Sequence, residues 1–212
     1  PTEAVEITEE APPTPTEATN VQVSGFAVRR FDAPPAINGN QDDWQGFDTI
    51  QSQFQVFNVS SWDGTNDVEA FWQVGWDNDA LYIVVRVEDH VHVQTQTGNQ
   101  IFKGDSVEMQ IDMNVNTGAR QVNSRTFQVT MSPGDFAAIP PSYYLFRAND
   151  AGAFLSNPAQ GNVQVASSQT GSGYIVEARI PWSTLEATPT TGFVMGISLN
   201  VSDNDGPGSA VQ

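Results

Sequence analysis

From Val107 to Met113 the chain reads VEMQIDM, with an apolar residue at every second position. A two-residue period is the repeat of a β-strand with one buried face and one wet face. The same period recurs at Phe127, Val129 and Met131, and again at Tyr174, Val176, Ala178 and Ile180. The run Leu81–Val87, LYIVVRV, is apolar on both faces, which suits a central strand covered on both sides. Further strands are expected at 54–59, 68–76, 162–166 and 193–201. Turn-forming stretches such as TGNQ, NTGA, TGSG and SDNDG punctuate these runs, and helical periodicity is scarce. The expectation is an all-β fold, a two-sheet antiparallel β-sandwich of jelly-roll type.

No cysteine occurs among the 212 residues, so neither a disulfide nor a thiolate metal site can hold this sandwich together. A hydrophobic core must carry its stability. Residues 1–24, opening PTEAVEITEEAPPTPTEATN, are rich in Pro, Thr and Glu and read as an extended linker or stalk. Residues 25–212 then form one domain of a size common among sandwiches. Within it, residues 132–160 are too long for a hairpin turn and carry several aromatics, so they read as a functional or lid-like loop.

Eight Lys and Arg stand against 25 Asp and Glu, a net charge of −17. Such a field repels phosphate backbones and anionic membrane surfaces, which argues against a nucleic-acid partner, and it favours divalent cations. The longest apolar run, Leu81–Val85, falls far short of the ~20 residues a membrane-spanning helix needs. No nucleophile–base motif, phosphate-binding loop or dinucleotide fingerprint is present, so the chain reads as a binding module and not an enzyme. His90 and His92 flank Val91; on a strand they would share a face and could bind a metal, although such pairs are more often surface residues.

Five segments occur in order: ING with DDW at 37–44, WDNDALYI at 76–83, VED at 87–89, GDSVEMQID at 104–112, and GYIVEARIPW at 173–182 with NVSDND at 200–205. Together they resemble the family 9 carbohydrate-binding modules and the wider sugar- or haem-binding sandwich superfamily, over residues 26–212. The resemblance implies two antiparallel sheets, bound calcium, a polysaccharide or glycan partner, and an extracellular or cell-surface setting. It also implies a sugar site built from an aromatic clamp and polar contacts. Phe102 falls at the place of the first clamp tryptophan, while the second would lie beyond Gln212, in a last strand this chain does not reach. Glu108 keeps the family's glutamate, and Gln128, Thr130 and Asn200 fall where arginine, asparagine and glutamine contacts are expected. These four lie in the polar phase of their strands, as a ligand-facing surface requires and as an ordinary wet face also would.

Asp89, Asp105, Asp203 and Asp205 are the candidate calcium ligands, since carboxylates at strand ends can gather around a hard cation; ordinary turn chemistry explains each alone. Trp44, Trp76 and Trp182 are expected to pack in the fold. Trp62, with Tyr143, Tyr144 and Phe146, could build an alternative aromatic platform. Two rival readings remain. One is a b-type haem electron-transfer domain using Lys103, Met109, Met113 or Met131. The other is a surface-layer or filament subunit whose residues 1–20 add to a neighbouring chain's sheet edge.

Overall fold

The computed structural model describes residues 25–52, 64–115, 121–157 and 159–206. The linker at 1–24, the strand expected at 54–59 and Trp62 lie outside the described residues. Eleven strands are seen among those described: β1 Arg29–Arg30, β2 Ile50–Gln51, β3 Val68–Trp76, β4 Ala80–Asp89, β5 Ser106–Asp112, β6 Thr126–Ser132, β7 Ser142–Ala148, β8 Phe154–Ser156, β9 Gln164–Gln169, β10 Gly173–Pro181 and β11 Gly196–Ser202. They form two sheets. The first runs β1-β3-β4-β10-β9 with β2 also on β3, and the second runs β11-β5-β6-β7-β8. All pairings are antiparallel except the two-residue contact of β1 with β3. The two-sheet sandwich expected from the alternating pattern is therefore present.

The alternation sorts side chains as it should. Val107, Met109 and Ile111 of β5, Phe127, Val129 and Met131 of β6, and Leu145 of β7 point inward. They meet Trp72 and Val74 of β3, Leu81, Ile83, Val85 and Val87 of β4, and Val176, Ala178 and Ile180 of β10 in one continuous core. At ~25 cal/mol per Å² of apolar surface removed from water, each of these side chains contributes about 1.5–3 kcal/mol before entropy is subtracted. Met109 and Met131 are fully buried here, whereas Lys103 is exposed with its ammonium 5.9 Å from the Phe102 ring centroid.

Strand β4 is buried on both faces because the first sheet has a second apolar layer outside it. Phe31, Trp44, Ala80, Tyr82 and Val84 make that layer. A carboxylate pins it: Glu177 on β10 is fully buried and accepts hydrogen bonds from the backbone N–H of Asn38 (2.8 Å) and Gly39 (3.0 Å) and from Trp44 Nε1 (2.9 Å). A buried carboxylate with three N–H donors is electrostatically satisfied, and the segment that supplies them is thereby locked across the sheet. The β3–β4 turn is fixed similarly by Asp77, whose Oδ1 accepts from the N–H of Asp79 and Ala80 and whose Oδ2 accepts from the Tyr82 hydroxyl. Burial, reinforced by the Asp77 bond, pushes the Tyr82 hydroxyl up to about 12.

Two expectations need correction. Residues 132–160 are not a single long loop, because β7 and β8 run through them and extend the second sheet. The last stretches are also offset, with β9 at 164–169 and β11 at 196–202. Trp44 and Trp182 pack as expected, and Trp72 joins them at full burial, its Nε1 donating to Ser52 Oγ at 3.0 Å.

Candidate functional site

Among the described residues, the first sheet has part of its outer face covered by the Phe31–Trp44 layer, whereas the outward face of the second carries no such apolar cluster. That outward face is where the expected ligand residues converge. Register places Asn200 of β11 opposite Glu108 of β5, Glu108 opposite Thr130 of β6, and Thr130 opposite Tyr144 of β7. In the adjoining row Ser198, Gln110, Gln128, Phe146 and Ser156 follow one another across five strands. Glu108, Gln128, Thr130 and Asn200 thus share one face. Phe102 is half-buried in a short 3-10 helix at Gly98–Lys103, which packs against β5, β6 and β7.

Glu108 is the centre of the polar group. Its Oε2 accepts from Gln128 Nε2 at 2.7 Å and from Thr130 Oγ1 at 3.0 Å, and its Oε1 lies 3.5 Å from Gln110 Nε2. Burial pushes its carboxyl above the ordinary value of 4.5, and the bonds from Thr130, Gln110 and Gln128 offset part of that rise. Oε1, with one long partner, retains acceptor capacity for a ligand hydroxyl. Beside it, the Tyr144 and Phe146 rings lie with centroids 4.9 Å apart and planes at 52°, and the Tyr144 hydroxyl donates to Ser156 Oγ at 3.0 Å. These two aromatics project from a strand of the same face as Glu108. Tyr143, their neighbour in sequence, packs against the inter-sheet core instead. Aromatic faces for C–H contact beside convergent hydroxyl partners are what a sugar-binding surface uses.

The candidate metal ligands divide into two groups. Asp89 and Asp105 come together with His92, their ligand atoms all within 4.8 Å of one another. Asp205 instead joins Asp67 and the exposed side of His90, with His90 Nδ1 3.3 Å from Asp67 Oδ1 and His90 Nε2 3.8 Å from Asp205 Oδ1. The two histidines do not share a strand face, because β4 ends at Asp89 and the chain bends there. Asp203 sits within electrostatic reach of Asp89, Asp105 and Asp205; burial first, and then these neighbouring carboxylates, push its carboxyl up to about 8. Asp89 is pushed up to about 6 by burial and by Asp105. Acids crowded in this way call for a positive charge among them. The carboxylates fit a hard divalent cation, while the imidazole nitrogen departs from the all-oxygen set that calcium takes. Sequence reasoning missed Asp67 and set His92 aside, since only the fold shows which acids a loop histidine meets.

Comparison with known proteins bears on the family and the fold. Over 172 residues, 81% of this chain, it is 27% identical to endo-1,4-beta-xylanase A of Thermoanaerobacterium saccharolyticum and 28% identical to exoglucanase XynX of Acetivibrio thermocellus. It spans 13% of the length of each of these relatives. Its fold is similar to that of a family 9 carbohydrate-binding module from Caldicellulosiruptor kristjanssonii in complex with cellotriose, with a TM-score of 0.63 at 20% identity, covering 87% of this chain and 80% of that one. A putative carbohydrate-binding protein from Bacteroides uniformis gives a TM-score of 0.56 at 13% identity, with 88% and 87% covered. The family described as "Carbohydrate family 9 binding domain-like" matches residues 37–211. With most of its length inside that match, the chain belongs to the family 9 carbohydrate-binding domains.

Proposed function

We propose that the outward face of the β11-β5-β6-β7-β8 sheet binds a neutral plant-type polysaccharide, and that this domain serves, without catalysis, as a targeting module of an extracellular protein. The observation that carries the reading is the adjacency of Glu108, Gln128 and Thr130 to the Tyr144–Phe146 pair on the outward face of this sheet. Glu108 accepts sugar hydroxyls, Gln128 and Asn200 offer further hydrogen bonds, and Phe102, Tyr144 and Phe146 supply apolar contact. The relatives' names support a β-linked glucan or xylan, and one similar structure holds cellotriose.

Affinity gel electrophoresis on soluble β-glucan and xylan, with titration calorimetry on cello-oligosaccharides, tests this. The expected result is retention by at least one of these glycans, weakened about tenfold or more by Tyr144→Ala combined with Phe146→Ala, a loss of about 1.4 kcal/mol or more. Retention by none of them, or undiminished retention of the double variant, would count against the face.

A further inference from the structure

His92 is oriented from one side by the backbone. Its Nε2 lies 2.7 Å from the carbonyl oxygen of Gly134, and a carbonyl only accepts, so Nε2 carries the hydrogen. In the neutral ring Nδ1 then holds a lone pair. That lone pair faces Asp105 Oδ2 at 3.0 Å and Asp89 Oδ2 at 4.0 Å, two acceptors with nothing to donate. The side chains are held in place from behind: Asp89 Oδ1 accepts from the N–H of Val91 at 2.8 Å, and Asp105 accepts from the N–H of Asn204 at 2.7 Å and from that of Val93. The opposed atoms are not an accident of loose side chains.

Three buried atoms in this region make no hydrogen bond: His92 Nδ1, Asp89 Oδ2 and Asp203 Oδ1. Asp89 is only 8% exposed, so its unpartnered oxygen has little water to turn to. A proton on Nδ1 would reach Asp105 Oδ2 at 3.0 Å and leave Asp89 Oδ2, 4.0 Å away, still without a hydrogen bond. A divalent cation would serve His92 Nδ1 and Asp89 Oδ2 at once, together with Asp105, since the ligand atoms of these three residues all lie within 4.8 Å of one another. The 3.0 and 4.0 Å separations bracket the edge of about 3.3 Å expected between ligands of a tetrahedral ion with bonds of about 2.0 Å. Calcium takes six to eight oxygens, whereas imidazole beside carboxylates suits zinc and its neighbours.

We propose that Asp89, His92 and Asp105, with Asp203 beside them, form a mixed nitrogen–oxygen site that selects a zinc-class divalent cation over calcium. The inference goes beyond the sugar reading and does not depend on it. The cation joins the end of β4 to the start of β5, and so ties the two sheets together at one end of the sandwich. A cavity of about 430 Å³ lined in part by Glu88, Asp89, His90, His92 and Thr170 gives an ion a route inward.

The test uses the full chain, stripped with a chelator and titrated separately with zinc chloride and calcium chloride. Calorimetry and thermal unfolding are expected to show zinc binding with one equivalent at this site and raising the melting temperature at free concentrations about 100-fold below those at which calcium acts. Nitrogen-15 NMR of the unaltered chain should show the His92 Nδ1 resonance moving on zinc addition. His92→Gln should weaken zinc about 100-fold while leaving calcium binding unchanged, and His90→Ala should leave the Nδ1 shift of His92 intact. Calcium acting at or below the zinc concentration, no binding of either ion, or a His92 Nδ1 resonance indifferent to zinc would each overturn the proposal. The NMR readout stands even if the His92 variant fails to fold.

Discussion

Glu108 and Glu177 are both buried carboxylates on sheet strands, and their surroundings give them opposite uses. Glu177 accepts from three N–H groups and is wholly occupied in holding the 38–44 segment. Glu108 shares one oxygen between Gln128 and Thr130 and keeps the other nearly unengaged, so it remains able to bind. Its folded pKa lies above 4.5 because of burial. Ionising a group whose folded value is raised costs stability, so the cost is absent below the unfolded pKa and complete once the pH has passed the folded one. As the pH rises from below 4.5 through the raised folded value, the unaltered chain should therefore lose stability relative to Glu108→Gln, as measured by urea unfolding at each pH. Glycan retention should move the other way, weakening as the pH falls through the raised value and the acceptor is protonated. A Glu108→Gln variant whose stability difference stayed constant with pH would contradict this account.

At the scale of elements, strand β7 shows where pattern reading stops. A strand is legible when one face is apolar and the other polar, and β5, β6 and β10 are of that kind. In SYYLFRA the inward side carries Tyr143, Leu145 and Arg147 while the outward side carries Tyr144 and Phe146, so the period of two is blurred by aromatics on both sides. That Glu108, Gln128, Thr130 and Asn200 share one face was legible because they fall in clear strands, whereas the grouping of Asp89 and Asp105 with His92 was only half legible, since these residues lie at strand ends whose spatial meeting no local period records. The segment from Ile37 to Trp44 depends on backbone shape as well as on Glu177. Gly39 has φ +80, and a Cβ there would stand 2.6 Å from the backbone carbon of Ser167 on β9. Gly39→Ala should destabilise the fold by about 2 kcal/mol or more, read as a lowered denaturation midpoint with unchanged slope.

The whole molecule carries a charge of −17, yet its proposed ligand is uncharged. Attraction between a charged protein and a neutral glycan has no monopole term for salt to screen, so affinity for β-glucan or xylan should stay constant within about twofold from low salt to about 0.5 M sodium chloride. An anionic polysaccharide such as polygalacturonate should be repelled at low salt and show no retention. Titration calorimetry across ionic strengths checks both, and a glucan affinity that collapsed with salt would point to a charged ligand. The exclusion of nucleic acid from the sequence rests on the same field.

The Glu177 contact spans 139 residues of chain, from Asn38 to the penultimate described strand. Bonds of that sequence separation impose an order on biosynthesis. The early segment carrying Phe31 and Trp44 emerges from the ribosome well before the carboxylate that will receive it. The rings can already pack on Ala80, Tyr82 and Val84 of β4, but until β10 arrives the N–H groups of Asn38, Gly39 and Trp44 Nε1 lack their acceptor, so full closure of this half of the molecule is an event of late synthesis or of release. The covered face that leaves the other one to serve as a binding surface is, in time, the last part of that sheet to be sealed.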